Sequence, residues 1–236
     1  MKKRHLLGQH FLVSESVAKS IVDSAAITKK DTVLEIGTGR GILVPYLCQV
    51  AKKVISVEKD RELYSKALEK FSNFPNLTLK HGDGFKMNLD FSIFVSNLPY
   101  SESRNAIEWL AQKEFSCGII MVQKEFAEKL FARPGSKNHK AITVLASHCT
   151  EIKHLMNVKK SVFSPPPKVD SIILKLTKRH QISKDIIKIV NKLFSYRRKT
   201  LHNVAKQFGI LIDSNKRFEE LTNGEIINLA KQISKN

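Results

Sequence analysis

Between Asp31 and Leu176 the chain alternates short apolar runs with amphipathic stretches, and this rhythm narrows the available folds more than any other feature. Seven runs have the length and composition of strands: "TVLEIG" (32–37), "KVISVE" (53–58), "LTLKHGD" (77–83), "SIFVSNL" (92–98), "CGIIMVQ" (117–123), "EIKHLMNV" (151–158) and "DSIILKL" (170–176). In the first five, apolar and β-branched residues stand at consecutive positions. That pattern indicates burial on both faces, as in a parallel sheet covered by helices. The stretches between them, "ILVPYLCQVA" (42–51), "DRELYSKALEKF" (60–71), "ESRNAIEWLAQK" (102–113) and "EFAEKLFA" (125–132), have helical spacing. Such alternation predicts a doubly wound α/β domain. The last two strand runs are joined by "KKSVFSPPPKV" (159–169), where three consecutive prolines forbid helix. That pair reads as a hairpin-like edge, antiparallel in part.

After about Lys178 the rhythm changes. In "SKDIIKIVNKLFSYRRKTLHNVAKQFG" (183–209) the apolar residues recur at helical spacing up to the helix stop Gly209, and "GEIINLAKQI" (224–233) repeats the pattern. The chain therefore divides into residues 1–177 and an all-helical domain, 178–236. The second domain holds 13 Lys or Arg against 5 Asp or Glu, in a chain of 236 residues with net charge +18. A basic excess of this size calls for an anionic partner, a nucleic acid or a membrane surface. No apolar run approaches the roughly 20 residues of a spanning helix. The opening "MKKRHLLGQHFLVSES" lacks the sustained apolar stretch of a secretory signal. Cys48, Cys117 and Cys149 lie far apart, as reduced, buried thiols do, not as a disulfide frame or a zinc site. A cytoplasmic protein without a metal centre is expected.

The first strand run leads into "EIGTGRG" (35–41), where glycines leave the backbone free to take positive φ and let a ligand approach. The spacing is G-x-G-x-G, not the dinucleotide G-x-G-x-x-G. Alone it marks a tight strand–helix turn as readily as a binding loop. Glu58 ends the next strand, 21 residues after Gly37, where a carboxylate can accept from both hydroxyls of a ribose. Asp83, in "HGDGF", ends the third, where a carboxylate can accept from an adenine amine; an Asx-turn is the plainer reading. Together they put ligand-facing groups at the carboxyl ends of three successive strands, the place where open α/β sheets bind ligands. The conjunction points to an adenosine-containing cofactor, S-adenosylmethionine or a nicotinamide dinucleotide.

The fourth strand ends on Asn97, Leu98, Pro99 and Tyr100. Hydride chemistry needs an acid–base partner there, and this stretch supplies none. Methylation of an exocyclic amine needs something else. The amine of adenine is flat and nearly non-basic, so two acceptors, the Asn97 side-chain oxygen and the Leu98 carbonyl, can hold its hydrogens and turn its lone pair toward a methyl donor. Pro99 fixes the backbone and Tyr100 offers a face for stacking. This is catalysis by positioning and electrostatics, on a base first drawn out of its stack.

These stretches resemble the KsgA-like family of ribosomal RNA adenine N6,N6-dimethyltransferases. The resemblance is carried by "LGQHFL" (7–12), "VLEIGTGRGILVPYL" (33–47), "VEKD" (57–60), "GDGFKM" (82–87), "NLPY" (97–100), "MVQKEFAEKL" (121–130), "FSPPPKVDS" (163–171) and "RRKTLHN" (197–203). These motifs span nearly the whole chain, and their order and spacing are specific. The resemblance implies a Rossmann-like class I methyltransferase domain, with a seven-stranded mostly parallel sheet, and a small helical C-terminal domain. It implies S-adenosyl-L-methionine as donor and dimethylation of two adjacent adenines in the 3′-terminal hairpin of small-subunit rRNA during ribosome biogenesis. The expected substrate is a pre-ribosomal particle and the expected enzyme a monomer. Cofactor contacts would be His10, Leu12, Gly37, Glu58, Asp83 and Asn97, with residues 1–13 a mobile cover over the methionine end. The target adenine would lie against Asn97, Leu98, Pro99 and Tyr100, with Phe163 closing its other face. Arg197, Arg198 and Lys199, with Lys2, Lys3 and Arg4, are the candidate phosphate contacts. His139 and Lys140 in "NHKAIT" (138–143) depart from the family pattern and change the RNA contact expected there.

Two other readings stand beside this one. The erythromycin-resistance methyltransferases of large-subunit rRNA share the early motifs, but "RRKTLHN" and "SPPPKVDS" favour the small-subunit type. A non-catalytic RNA-binding assembly factor would keep the fold and charge without needing the intact set Glu58, Asp83, Asn97, Pro99 and Tyr100.

Overall fold

The computed structural model describes residues 10–235. Lys2, Lys3, Arg4 and the first nine residues of the expected N-terminal cover lie outside the described residues. The chain forms two compact units. The first comprises Met1–Ala106, Glu114–Lys124 and Ile152–Lys178, and the second Ile107–Lys113, Glu125–Glu151 and Arg179–Asn236. The last segment of the second unit thus begins where the sequence rhythm changes. That unit also takes in two earlier segments, which a single boundary at residue 178 does not anticipate.

The elements follow in order: β1 (Phe11–Leu12), α1 (Glu15–Ser24), β2 (Thr32–Ile36), α2 (Val44–Val50), β3 (Lys53–Glu58), α3 (Arg61–Phe71), β4 (Leu77–His81), β5 (Ile93–Ser96), α4 (Ser103–Leu110), β6 (Cys117–Gln123), α5 (Lys124–Leu130), α6 (Ala141–Cys149), β7 (Thr150–Val158), β8 (Phe163–Ser164), β9 (Ser171–Lys178), α7 (Lys184–Leu193), α8 (Leu201–Lys206) and α9 (Asn223–Ile233). All seven strand runs of the sequence form one sheet, in the order β4-β3-β2-β5-β6-β9-β7. The pairs β3–β4, β2–β3, β2–β5 and β5–β6 are parallel, and β9 runs antiparallel to β6. The last two runs are neighbours at one edge, with β9 inserted between β6 and β7. The strand order reverses direction at β2 and β5, which makes the gap beyond their carboxyl ends the natural crevice of the sheet.

Helix starts follow from local chemistry. The Asp60 carboxylate accepts from the N–H groups of Glu62 and Leu63 at the start of α3, and Ser183 and Thr222 cap α7 and α9 in the same way. After β2, Gly37, Gly39 and Gly41 all have positive φ (88°, 58° and 74°). At Gly41 packing also demands glycine, since a Cβ there would stand 2.1 Å from the Phe71 ring. Inside unit 2, α6 is buried at seven of its nine residues, so its sequence carries only a weak amphipathic stripe. The three cysteines are free and buried. Among the described residues, no helix is long and apolar enough to cross a membrane.

Candidate active site

A cavity of about 400 Å³ lies at the carboxyl ends of β2, β3, β4 and β5 in unit 1. Its lining includes His10, Leu12, Gly37, Glu58, Asp83, Asn97, Leu98 and Pro99. Parallel strand direction brings Gly37, Glu58, Asp83 and Asn97–Pro99 together, whereas His10 and Leu12 reach the cavity from β1, which pairs antiparallel with β8 in a separate two-stranded sheet. Gly37 follows β2 and Asn97 follows β5, its hydrogen-bonded neighbour across the reversal point. The two turns touch closely, since a Cβ on Gly37 would be 3.7 Å from Leu98 Cδ2. Ser96 at the end of β5 donates to the Ile36 carbonyl and ties the two strand ends.

Glu58 is 5% exposed. Its Oε2 accepts from the Gly39 N–H at 2.8 Å and its Oε1 from the Asp60 N–H at 2.8 Å. A carboxylate offers about four acceptor positions, so each oxygen keeps one for a ligand while the backbone holds the group in place. Asp83 accepts from the Phe85 N–H at 3.2 Å through Oδ1, and its Oδ2 stands 3.4 Å from the exposed Lys59 ammonium. Its Asx-type bond to Phe85 is the plain turn, yet the carboxylate also lines the cavity. The Asn97 amide is half-buried, and among the described residues nothing bonds to its side chain. An unpartnered amide at the reversal point, beside a carboxylate anchored on a glycine turn, suits a polar ligand with hydroxyl and amine donors.

Tyr100 stands beside the cavity, not in its lining. Its hydroxyl is 2.6 Å from the Ser171 hydroxyl and its ring centroid is 5.7 Å from that of His10. Burial pushes the phenol up, against the Ser171 hydrogen bond, so Tyr100 serves as a neutral, oriented ring. His10 donates from Nδ1 to the Pro165 carbonyl at 2.9 Å, which leaves Nε2 as the other polar atom of the ring. Phe163, expected to close the other face of the target base, is 3% exposed, belongs to the core of unit 1 and, like Tyr100, is not part of the cavity lining. Its backbone pairs with Leu12, so it holds β1 in position instead of presenting an open face.

The sequence reading passed over two features. Phe11 lies against the glycine turn, 3.4 Å from where a Gly39 Cβ would be, with the Arg40 guanidinium 4.6 Å from its ring centroid. The second is Glu35, visible in "TVLEIG" as a carboxylate in an otherwise apolar strand. It is 1% exposed and accepts from the Ser56 hydroxyl at 2.5 Å, while Ser56 lies 2.6 Å from the Thr38 hydroxyl in the turn. Burial pushes its carboxyl up to about 8, Ser56 opposing and the Glu58 charge adding to the rise. Folded chains thus hold a proton here that unfolded chains release above the ordinary carboxylate range. Stability is expected to fall as the pH rises from that range toward 8, and to level off above it. Glu35→Gln, neutral throughout, removes this part of the slope; thermal unfolding of both proteins from pH 5 to pH 9 checks it.

Similarity to known proteins extends over both units. The ribosomal RNA adenine dimethylase family profile matches residues 1–235. The protein named ribosomal RNA small subunit methyltransferase A from Thermotoga maritima is 36% identical over 235 residues, covering 96% of this chain and 84% of that protein. Its namesake from Clostridium botulinum (strain Okra) is 38% identical over 219 residues, covering 86% and 80%. The crystal structure of a dimethyladenosine transferase from Plasmodium falciparum is similar with a TM-score of 0.81 at 28% identity, covering 96% of this chain and 98% of that one. A match confined to the sheet would have indicated only the common methyltransferase fold; a match along the entire chain shows that this protein is a methyltransferase of the ribosomal RNA adenine dimethylase family.

Proposed function

We propose that this protein dimethylates N6 of two adjacent adenines in the 3′-terminal hairpin of small-subunit rRNA, using S-adenosyl-L-methionine, during ribosome biogenesis in the cytoplasm. The observation that carries the reading is the unpartnered Asn97 amide at the reversal point of the sheet, next to the anchored Glu58 carboxylate. Bound S-adenosyl-L-methionine supplies an electrophilic methyl group on a sulfonium. Glu58 would accept from the ribose hydroxyls with its two spare acceptor positions, and Asp83 from the adenine amine of the cofactor. His10 and Leu12 would cover the methionine end beside Gly37, whose cavity they line.

The target adenine is held by this chain's own groups. The Asn97 side-chain oxygen and the Leu98 carbonyl accept its two amine hydrogens, and the Tyr100 ring, oriented by Ser171, supports the base. Pro99 restricts the backbone between them. With both hydrogens engaged, the nitrogen lone pair would face the donor methyl group; the N–C bond would form as the S–C bond of the sulfonium breaks, leaving neutral S-adenosylhomocysteine, and the proton of the cationic amine would pass through the acceptor contacts to solvent without a strong base. The acceptor count also fits two rounds. The unmethylated amine fills both acceptors, the monomethylated amine fills one, and the dimethylated product fills neither and leaves. Phe163 supports Leu12 from the core. The substrate is rRNA within a pre-ribosomal particle, engaged by a monomer. Mass spectrometry of small- and large-subunit rRNA after incubation with protein and cofactor tests the reading. Dimethyladenosine in the small-subunit rRNA is expected; modification of the large-subunit rRNA alone, or of neither, overturns it.

A further inference from the structure

Within unit 2 the cations of "YRRKT" have different tasks. Arg197, expected from the sequence to contact phosphate, is engaged internally. Its guanidinium bonds Glu219 Oε2 from both Nε and Nη2 at 3.3 Å. Nη1 donates to the carbonyls of Lys137 and His139 at 3.4 and 3.5 Å, and Nη2 to that of Ser136 at 3.3 Å. A planar fork with five donors serves a carboxylate and several carbonyls at once; an ammonium does not. The same turn is anchored a second time through His139, which is 1% exposed and therefore no RNA contact. His139 Nε2 donates to Asn223 Oδ1 at 2.8 Å, and Asn223 donates to the Ser147 hydroxyl at 2.7 Å. Between these anchors the Lys137 side chain is exposed, as is Arg198 next to the brace. Among the described residues neither has a carboxylate partner. Arg198 is held through its backbone, whose carbonyl accepts from Arg217 at 3.2 Å.

We infer that Arg197 is a positioning residue and not a phosphate contact, and that the turn it braces presents Lys137, together with Arg198, to the phosphodiester backbone of the RNA substrate. This rests on the proposed reading of the chain as an rRNA methyltransferase. The physical gain is pre-organisation, because a loose turn would have to lose backbone freedom on binding.

The test is binding of a labelled small-subunit rRNA fragment across a salt series, with S-adenosylmethionine binding measured alongside. Lys137→Ala is expected to reduce the slope of log affinity against log salt by about 0.7–0.9, one phosphate contact, and to leave cofactor affinity unchanged. Glu219→Gln separates bracing from bulk charge. It removes a negative charge, so simple electrostatics has it bind RNA more tightly. Loss of the brace has it bind several-fold more weakly, with faster amide exchange at 136–139. Arg197→Lys keeps the charge and is expected to behave like Glu219→Gln, adding nothing to Lys137→Ala in the double variant. Tighter binding by Glu219→Gln, wild-type binding by Arg197→Lys, or an unchanged salt slope for Lys137→Ala overturns the inference. If Arg197→Lys does not fold, Glu219→Gln and Lys137→Ala decide alone. Failure of the wild-type protein to methylate small-subunit particles sinks the functional reading instead, whatever the slopes.

Discussion

Asn97→Ala is expected to slow methyl transfer by on the order of 10²–10³-fold while RNA affinity stays within about twofold. The magnitude is that of removing one oriented hydrogen-bonding group from a transition state, about 2.7–4 kcal/mol. The asymmetry follows from position. Asn97 lines the cavity and no described side chain leans on its amide, so its loss does not disturb the fold around it. RNA affinity depends mainly on phosphate contacts elsewhere. Single-turnover methylation of small-subunit particles with labelled cofactor measures the rate, and filter binding measures the affinity. A variant that methylates at close to the wild-type rate ends the role proposed for the amide.

Glu58→Ala should act on cofactor binding and stability together. Hydrogen bonds to a charged group contribute roughly 1.5–3 kcal/mol each, so losing both ribose contacts weakens S-adenosylmethionine by on the order of a hundredfold or more. The N–H groups of Gly39 and Asp60, now bonded to the carboxylate at 2.8 Å, lose their partner. Both donors are half-buried and line the cavity, where water can replace part of the lost bond, so the melting temperature should drop by less than two fully buried unsatisfied donors would cost. Glu58→Gln keeps one acceptor oxygen and should fall between the two proteins on both scales. Calorimetric titration with the cofactor and thermal unfolding report the two effects separately. Unfolding at a lower temperature with cofactor affinity within threefold of wild type would leave Glu58 a purely structural anchor.

The central sheet was legible because burial on both faces writes continuous apolar runs into β2, β3, β5 and β6; the edge strand β4, expected to be buried on both faces, has no fully buried residue. All seven runs became strands, and Gly37, Glu58, Asp83 and Asn97 fell at the carboxyl ends of four of them because parallel strands point one way. Helix α6 was not legible, since "AITVLASHC" is buried at all but Ser147 and His148 and so has only a weak period to read. Helix α1 has a Ser14 cap and buries Ala18, Ile21 and Val22 at helical spacing, so it was readable in principle, although it lies before the strand rhythm begins. Tyr100 was recognisable as part of "NLPY", but the hydroxyl that orients it, Ser171, lies 71 residues away in β9.

What the sequence alone determined is the class of chemistry: acceptors without a strong base at a strand end, a carboxylate for a ribose, and charge for a polyanion. These follow from residue types and their order, which need no coordinates. Tertiary structure decided which groups are free to use that chemistry. Glu35 is buried with its carboxyl pushed up by that burial, Phe163 lies in the core, and Arg197 and His139 hold a turn together. Neither burial nor the partner of a side chain is a local property of the chain. Both depend on segments distant in sequence, and the same arginine is a phosphate contact or a brace according to what folds against it.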